Sequence, residues 1–78
     1  MPKLVPISAK KMLKILKKKG FLILRQKGSH VFLEHPINKC TTVIPLHRNE
    51  NLGIGLLRSV LNDIEMSVEE YDKLRKKS

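Results

Sequence analysis

Three histidines, His30, His35 and His47, and a single cysteine, Cys40, are the side chains of this chain best suited to chemistry. An imidazole has an ordinary pKa of ~6.5, so it takes or gives a proton near neutral pH. His30 directly follows Gly28 and Ser29, and Lys27 stands on the other side of that pair. RNA offers a reaction that needs such residues. A base removes the proton of the 2′-hydroxyl, the oxygen attacks the adjacent phosphate, and a cation stabilises the developing charge. His30 is the candidate base and Lys27 the candidate cation. The bland alternative is a solvated histidine that starts a strand after an ordinary Gly-Ser turn.

Other chemistries find less support. His30, His35, Cys40 and His47 lie at intervals of five, five and seven residues. None of these pairs matches the tight spacing of structural zinc ligands, although His30 and His35 come closest. Residues five apart on one strand also point to opposite faces. Glu34 is the only acid before position 50, so no Ser-His-Asp arrangement can be argued. The phosphate-loop pattern G-x-x-x-x-G-K is absent. Gly53 and Gly55 in "GIGLL" precede an expected helix, where they suit either a phosphate cradle or a simple loop-to-helix turn. Cys40 reads as a loop or strand-start thiol without a special role.

The elements that must position His30 are legible in outline. "ISAKKMLKILKKKGF" predicts an amphipathic helix with Ser8 as N-cap and Gly20 as C-cap. Ala9, Met12, Leu13 and Leu16 share its apolar face, and Lys10, Lys14, Lys17 and Lys18 occupy much of the rest. "FLILRQ", "HVFLEH" and "TTVIPL" predict three strands, joined by "KGS" and by "PINKC" at hairpin length. Alternation is blurred where Leu22, Ile23 and Leu24 run together, so the pattern leaves the buried face of the first strand open. A second amphipathic helix carries Leu57, Val60, Leu61 and Ile64. "SVEEYDKL" predicts a short last helix capped by Ser67 and Glu70, with Val68, Tyr71 and Leu74 inward and "RKKS" frayed. The expected class is α+β: α-β-β-β-α with a three-stranded antiparallel sheet, helices on one face and a short extra C-terminal helix.

Composition sets the limits. At 78 residues the chain reads as one domain spanning 1–78, with a thin core and any site shallow and open. One cysteine excludes an intrachain disulfide. "MPKLVPISAKK" has no apolar run long enough for a signal peptide or membrane span, so a reducing cytoplasm is the simplest setting. The net charge is +9 and uneven: residues 1–48 hold 11 Lys/Arg against one acid, while residues 49–78 hold 5 against 6. The basic surface therefore surrounds "KGSH", and a polyanion or an acidic protein is the expected partner.

Taken together, "ISAKKMLKILKKKGF", "RQKGSHVFLEHP", "VIPLH" and "GLLRSVLNDIEMSVEEY" resemble the HicA (YcfA-like) toxins of type II toxin–antitoxin modules. The most specific parts are the R-Q-K-G-S-H block, the V-x-P-x-H strand end and the G-x-L-R-S-hydrophobic-Leu helix from Gly55 to Leu61. The resemblance implies a double-stranded-RNA-binding-domain-like fold and a metal-independent mRNA interferase that arrests translation without a cofactor. It places the catalytic histidine on His30, with Lys27, Gly28 and Ser29 as flanking matches and His47 as an auxiliary or structural histidine. The implied partner is a HicB antitoxin that covers the active face. Ala9, Leu56 and Glu65 depart from the usual pattern; Glu65 stands where a glycine is frequent before the last helix.

The expectation is a small endoribonuclease toxin acting on single-stranded mRNA. His30 serves as general base or acid, Lys27 steadies the phosphate, and Lys17, Lys18, Lys19 and Arg25 guide the RNA backbone. The rivals are a non-catalytic RNA-binding module of the same fold and a regulatory protein whose basic face grips an acidic partner.

Overall fold

A computed structural model describes residues 4–46 and 51–77 of the chain. The elements run α1 (Ala9–Lys18), β1 (Leu22–Lys27), β2 (His30–Glu34), β3 (Thr41–Pro45), α2 (Ile54–Asp63) and α3 (Val68–Lys77). The strands form one antiparallel sheet in the order β1-β2-β3. This is the expected α+β, double-stranded-RNA-binding-domain-like order, with a third helix at its end.

Local chemistry explains the helix ends. The Ser8 hydroxyl accepts a hydrogen bond from the Lys11 N–H at 3.3 Å, which satisfies one of the first turn's open donors. At the other end Gly20 takes φ 96, the Gly20 N–H donates to the Lys17 carbonyl, and the Phe21 N–H donates to the Leu16 carbonyl. Together these bonds form a Schellman cap. α2 closes in the same way, with Glu65 at φ 55 and the Met66 N–H donating to the Leu61 carbonyl. The Ser67 hydroxyl accepts from the Glu70 N–H at the start of α3. α3 then continues through Lys77, past Arg75, where the sequence predicts fraying. Asp72 accounts for the difference: it accepts from Arg75 one turn on and pairs with Lys76.

The core lies between the helices and one face of the sheet. α1 contributes Met12, Ile15 and Leu16, α2 contributes Leu57, Val60 and Leu61, and α3 contributes Tyr71. Val31 and Leu33 of β2 meet them, with Ile44 of β3. Each such side chain stabilises the fold by about 1.5–3 kcal/mol when fully withdrawn from water. The Tyr71 hydroxyl donates to the Val5 carbonyl, tying the segment before α1 to α3. Lys19 and Glu70 form an ion pair that joins the same two helices.

β1 is an edge strand, and all six of its residues are exposed. Leu22, Ile23 and Leu24 are 59%, 46% and 59% accessible. The blurred alternation in the sequence thus corresponds to a strand that neither face buries, because the helices lie over β3 rather than β1. A bulge falls between Ile23 and Arg25, leaving Leu24 without a partner on β2.

Candidate nucleic-acid site on the open face of the sheet

The strand register divides the sheet into two faces. Val31 pairs with Gln26 and Ile44, and Leu33 pairs with Ile23 and Thr42; these rows face the helices. His30 pairs with Lys27 and Pro45, and Phe32 pairs with Arg25 and Val43. Side chains alternate along a strand, so these two rows share the opposite face, which the core leaves open.

The turn that carries His30 has two residues, Gly28 and Ser29. Gly28 takes φ 59, while Ser29 stays at negative φ. That is the φ pattern of a type II′ hairpin turn, which matches the twist of its strands and favours glycine at its first central position. The tight turn makes Lys27 and His30 direct cross-strand neighbours, with Cα atoms about 5.5 Å apart in such a pair. The Leu46 N–H donates to the Ser29 carbonyl at 2.6 Å, holding the end of β3 against the turn. His30, Lys27, Gly28 and Ser29 are all exposed. Among the described residues no side-chain hydrogen bond or ion pair engages His30 or Lys27.

Other expected site residues fall elsewhere. Arg25 stands one row from the Lys27–His30 pair on the same face, its guanidinium 4.7 Å from the centroid of the Phe32 ring. Lys17 and Lys18 are exposed at the C-terminal end of α1. They adjoin the start of β1, whereas His30 adjoins its end, about 17 Å away at strand rise. The sheet also stands between α1 and the open face. Lys19 belongs to the same end and is held by Glu70. The structure therefore brings Lys27 and Arg25 to His30, and does not bring Lys17, Lys18 or Lys19 there. His47 lies outside the described residues.

His35 is a different kind of histidine. Its Nδ1 accepts from the Ile37 and Asn38 N–H groups, at 3.2 and 3.4 Å, and its Nε2 lies 3.1 Å from the Lys19 carbonyl oxygen. A carbonyl only accepts, so Nε2 is the donor and Nδ1 the acceptor in this geometry. The ring also meets Phe21 edge-on at 5.1 Å. His35 ties the β2–β3 turn to the end of α1. Cys40, just before β3, donates its thiol proton to Glu65 at 3.1 Å, and that hydrogen bond is the main cause raising its pKa above the ordinary thiol value. Among the described residues no three His, Cys, Asp or Glu side chains group closely enough to hold a metal ion.

Phe32 is a further residue of this face, outside the site expected from residue types around His30. The signal was available: Phe32 lies two residues from His30 between Val31 and Leu33, so period-two alternation puts it on the histidine's face. Of the three aromatic residues, Phe21 and Tyr71 are buried and Phe32 is not.

Comparison with known families decides the class. Residues 9–66 match the family described as the HicA toxin of bacterial toxin–antitoxin systems, more than half of the chain. The chain belongs to the HicA toxin family. Its membership implies a toxin role and an antitoxin partner. The matched span runs from the first residue of α1 to the residue before the α3 cap, so it includes the whole sheet and the Lys27–His30 hairpin. No curated protein matches the chain. Among the described residues no helix is long and apolar enough to cross a membrane.

Proposed function

We propose that this HicA toxin is a metal-independent endoribonuclease that cleaves single-stranded mRNA in the cytoplasm, with His30 as its catalytic residue. The observation that carries the reading is the direct pairing of Lys27 with His30 on the open face of the sheet. His30 takes the proton of a 2′-hydroxyl, whose oxygen attacks the adjacent phosphorus. The 5′-oxygen leaves and takes a proton from the imidazolium or from water, to which the exposed hairpin gives free access. Lys27 lies beside the phosphate and stabilises its added charge. Gly28 and Ser29 set the turn that holds the two side chains together. A HicB-type antitoxin neutralises the toxin by covering this face, and the basic balance of residues 1–48 suits an acidic partner surface.

The test compares purified, antitoxin-free wild type with His30→Ala, Lys27→Ala and the double variant Lys17→Ala/Lys18→Ala, on mRNA with EDTA present. His30→Ala is expected to lower cleavage by roughly 10²–10⁴-fold and Lys27→Ala by roughly 10²-fold. The double variant is expected to change cleavage by only a few-fold, and mainly at low salt. Unchanged cleavage by His30→Ala would remove the histidine from the mechanism. Loss of wild-type activity on chelation would overturn the metal-independent reading, and RNA binding without cleavage would favour a passive binding module.

A further inference from the structure

Arg25 and Phe32 face each other one row from the Lys27–His30 pair. Phe32 is only partly buried, on a sheet face that the core does not use. The Arg25 guanidinium lies 4.7 Å from its ring centroid. Val43 flanks Phe32 on the other side, so the middle of this face is an apolar floor with a cation at one margin. The Lys27–His30 row begins two residues further along the strands, ~7 Å away at strand rise.

We propose that Phe32 and Arg25 form a stacking subsite for the nucleobase of a nucleotide flanking the cleaved bond. The inference rests on the endoribonuclease reading of His30. An aromatic face accepts any base by stacking, and a guanidinium plane stacks in the same way while attracting phosphate. The occupant is a base of single-stranded RNA, because the cations on this face, Arg25 and Lys27, suit a polyanion and a paired base has no free face to offer. Such a subsite gives the shallow hairpin what it otherwise lacks, a means of fixing the strand so that one 2′-hydroxyl stays beside His30. Phe32 is in this sense a positioning residue. The structural alternative is that Arg25 merely shields Phe32 from water.

Binding and cleavage separate these possibilities. A short 2′-O-methyl oligonucleotide resists 2′-hydroxyl attack, and an abasic strand of equal length keeps the phosphates but not the bases. In the full chain, Phe32→Leu is expected to weaken binding of the base-bearing strand by roughly 5- to 100-fold and to leave the abasic strand unchanged. Phe32→Tyr, which keeps the ring, is expected to bind both as wild type does. Arg25→Lys keeps the charge without the plane and is expected to lose part of the affinity for the base-bearing strand alone. On cleavable RNA, Phe32→Leu is expected to raise KM more than it lowers kcat. Equal loss on both strands, no loss on the base-bearing strand, or Phe32→Tyr binding as poorly as Phe32→Leu overturns the proposal. If wild type fails to cleave RNA yet Phe32→Leu shows the base-dependent loss of binding, the endoribonuclease reading falls and the stacking subsite stands.

Discussion

A Cβ atom placed on Gly20 would lie 3.1 Å from Nε2 of His35, the atom bonded to the Lys19 carbonyl. The end of α1 and the end of β2 are thus packed around one missing methyl group. Gly20 also holds φ 96, a conformation other residues adopt only with strain. Gly20→Ala is therefore expected to cost more than the ~1–2 kcal/mol of the backbone alone, because His35 must move as well. Gly28 has φ 59 and nothing within 4 Å of its would-be Cβ, so Gly28→Ala meets only the backbone cost. Urea denaturation of both variants measures the difference, and equal losses would show that the contact with His35 contributes nothing.

Glu65 is the corresponding residue of α2, and it carries a side chain where α1 has glycine. It sits at φ 55, inside a Schellman cap, at the position where glycine is frequent in the family resemblance. Glu65→Gly is expected to stabilise the fold by about 0.5–1 kcal/mol, less whatever the exposed hydrogen bond from Cys40 contributes. Thermal melting checks the sign. A lower melting temperature would mean that the Cys40–Glu65 contact outweighs the backbone strain.

Asp72 makes stability depend on acid. The Arg75 hydrogen bond, aided by Lys76, holds its carboxyl below the ordinary aspartate range. A carboxyl with a depressed folded-state pKa contributes stability above the unfolded value of ~3.9, and loses it as pH falls through the folded value. Wild type is therefore expected to melt above Asp72→Asn at pH 7, with the gap closing below about pH 4. Melting temperatures of the two proteins across this range decide it; a gap that stays constant would rule out an electrostatic origin.

Much of this architecture was legible because it depends on short-range signals. Ser8, Gly20 and Ser67 mark helix ends by the chemistry of their own backbone neighbourhood, and "KGS" specifies a tight turn by itself. The direct His30–Lys27 pairing was not legible: the sequence places Lys27 in a three-residue connection, whereas in the structure it ends β1, so only Gly28 and Ser29 turn and the flanking pair stands face to face. Lys17 and Lys18 were harder. Their charge was evident, but their distance from His30 depends on which end of β1 each adjoins and on which side of the sheet α1 packs.

The sequence alone determined the order of elements, the basic character of the first three-fifths of the chain and the presence of a hairpin histidine beside a lysine. These are local properties of composition, capping and turn length. Only the tertiary structure decided what each side chain faces. It separated His30, open to solvent on the bare face of the sheet, from His35, bonded on both ring nitrogens at the end of α1. It also left the apolar run Leu22–Leu24 on an exposed edge and brought Arg25 over Phe32 beside the candidate catalytic pair. Strand register and helix placement settle such relationships. Both arise from burying one face of the sheet as a whole, which no single stretch of residues encodes.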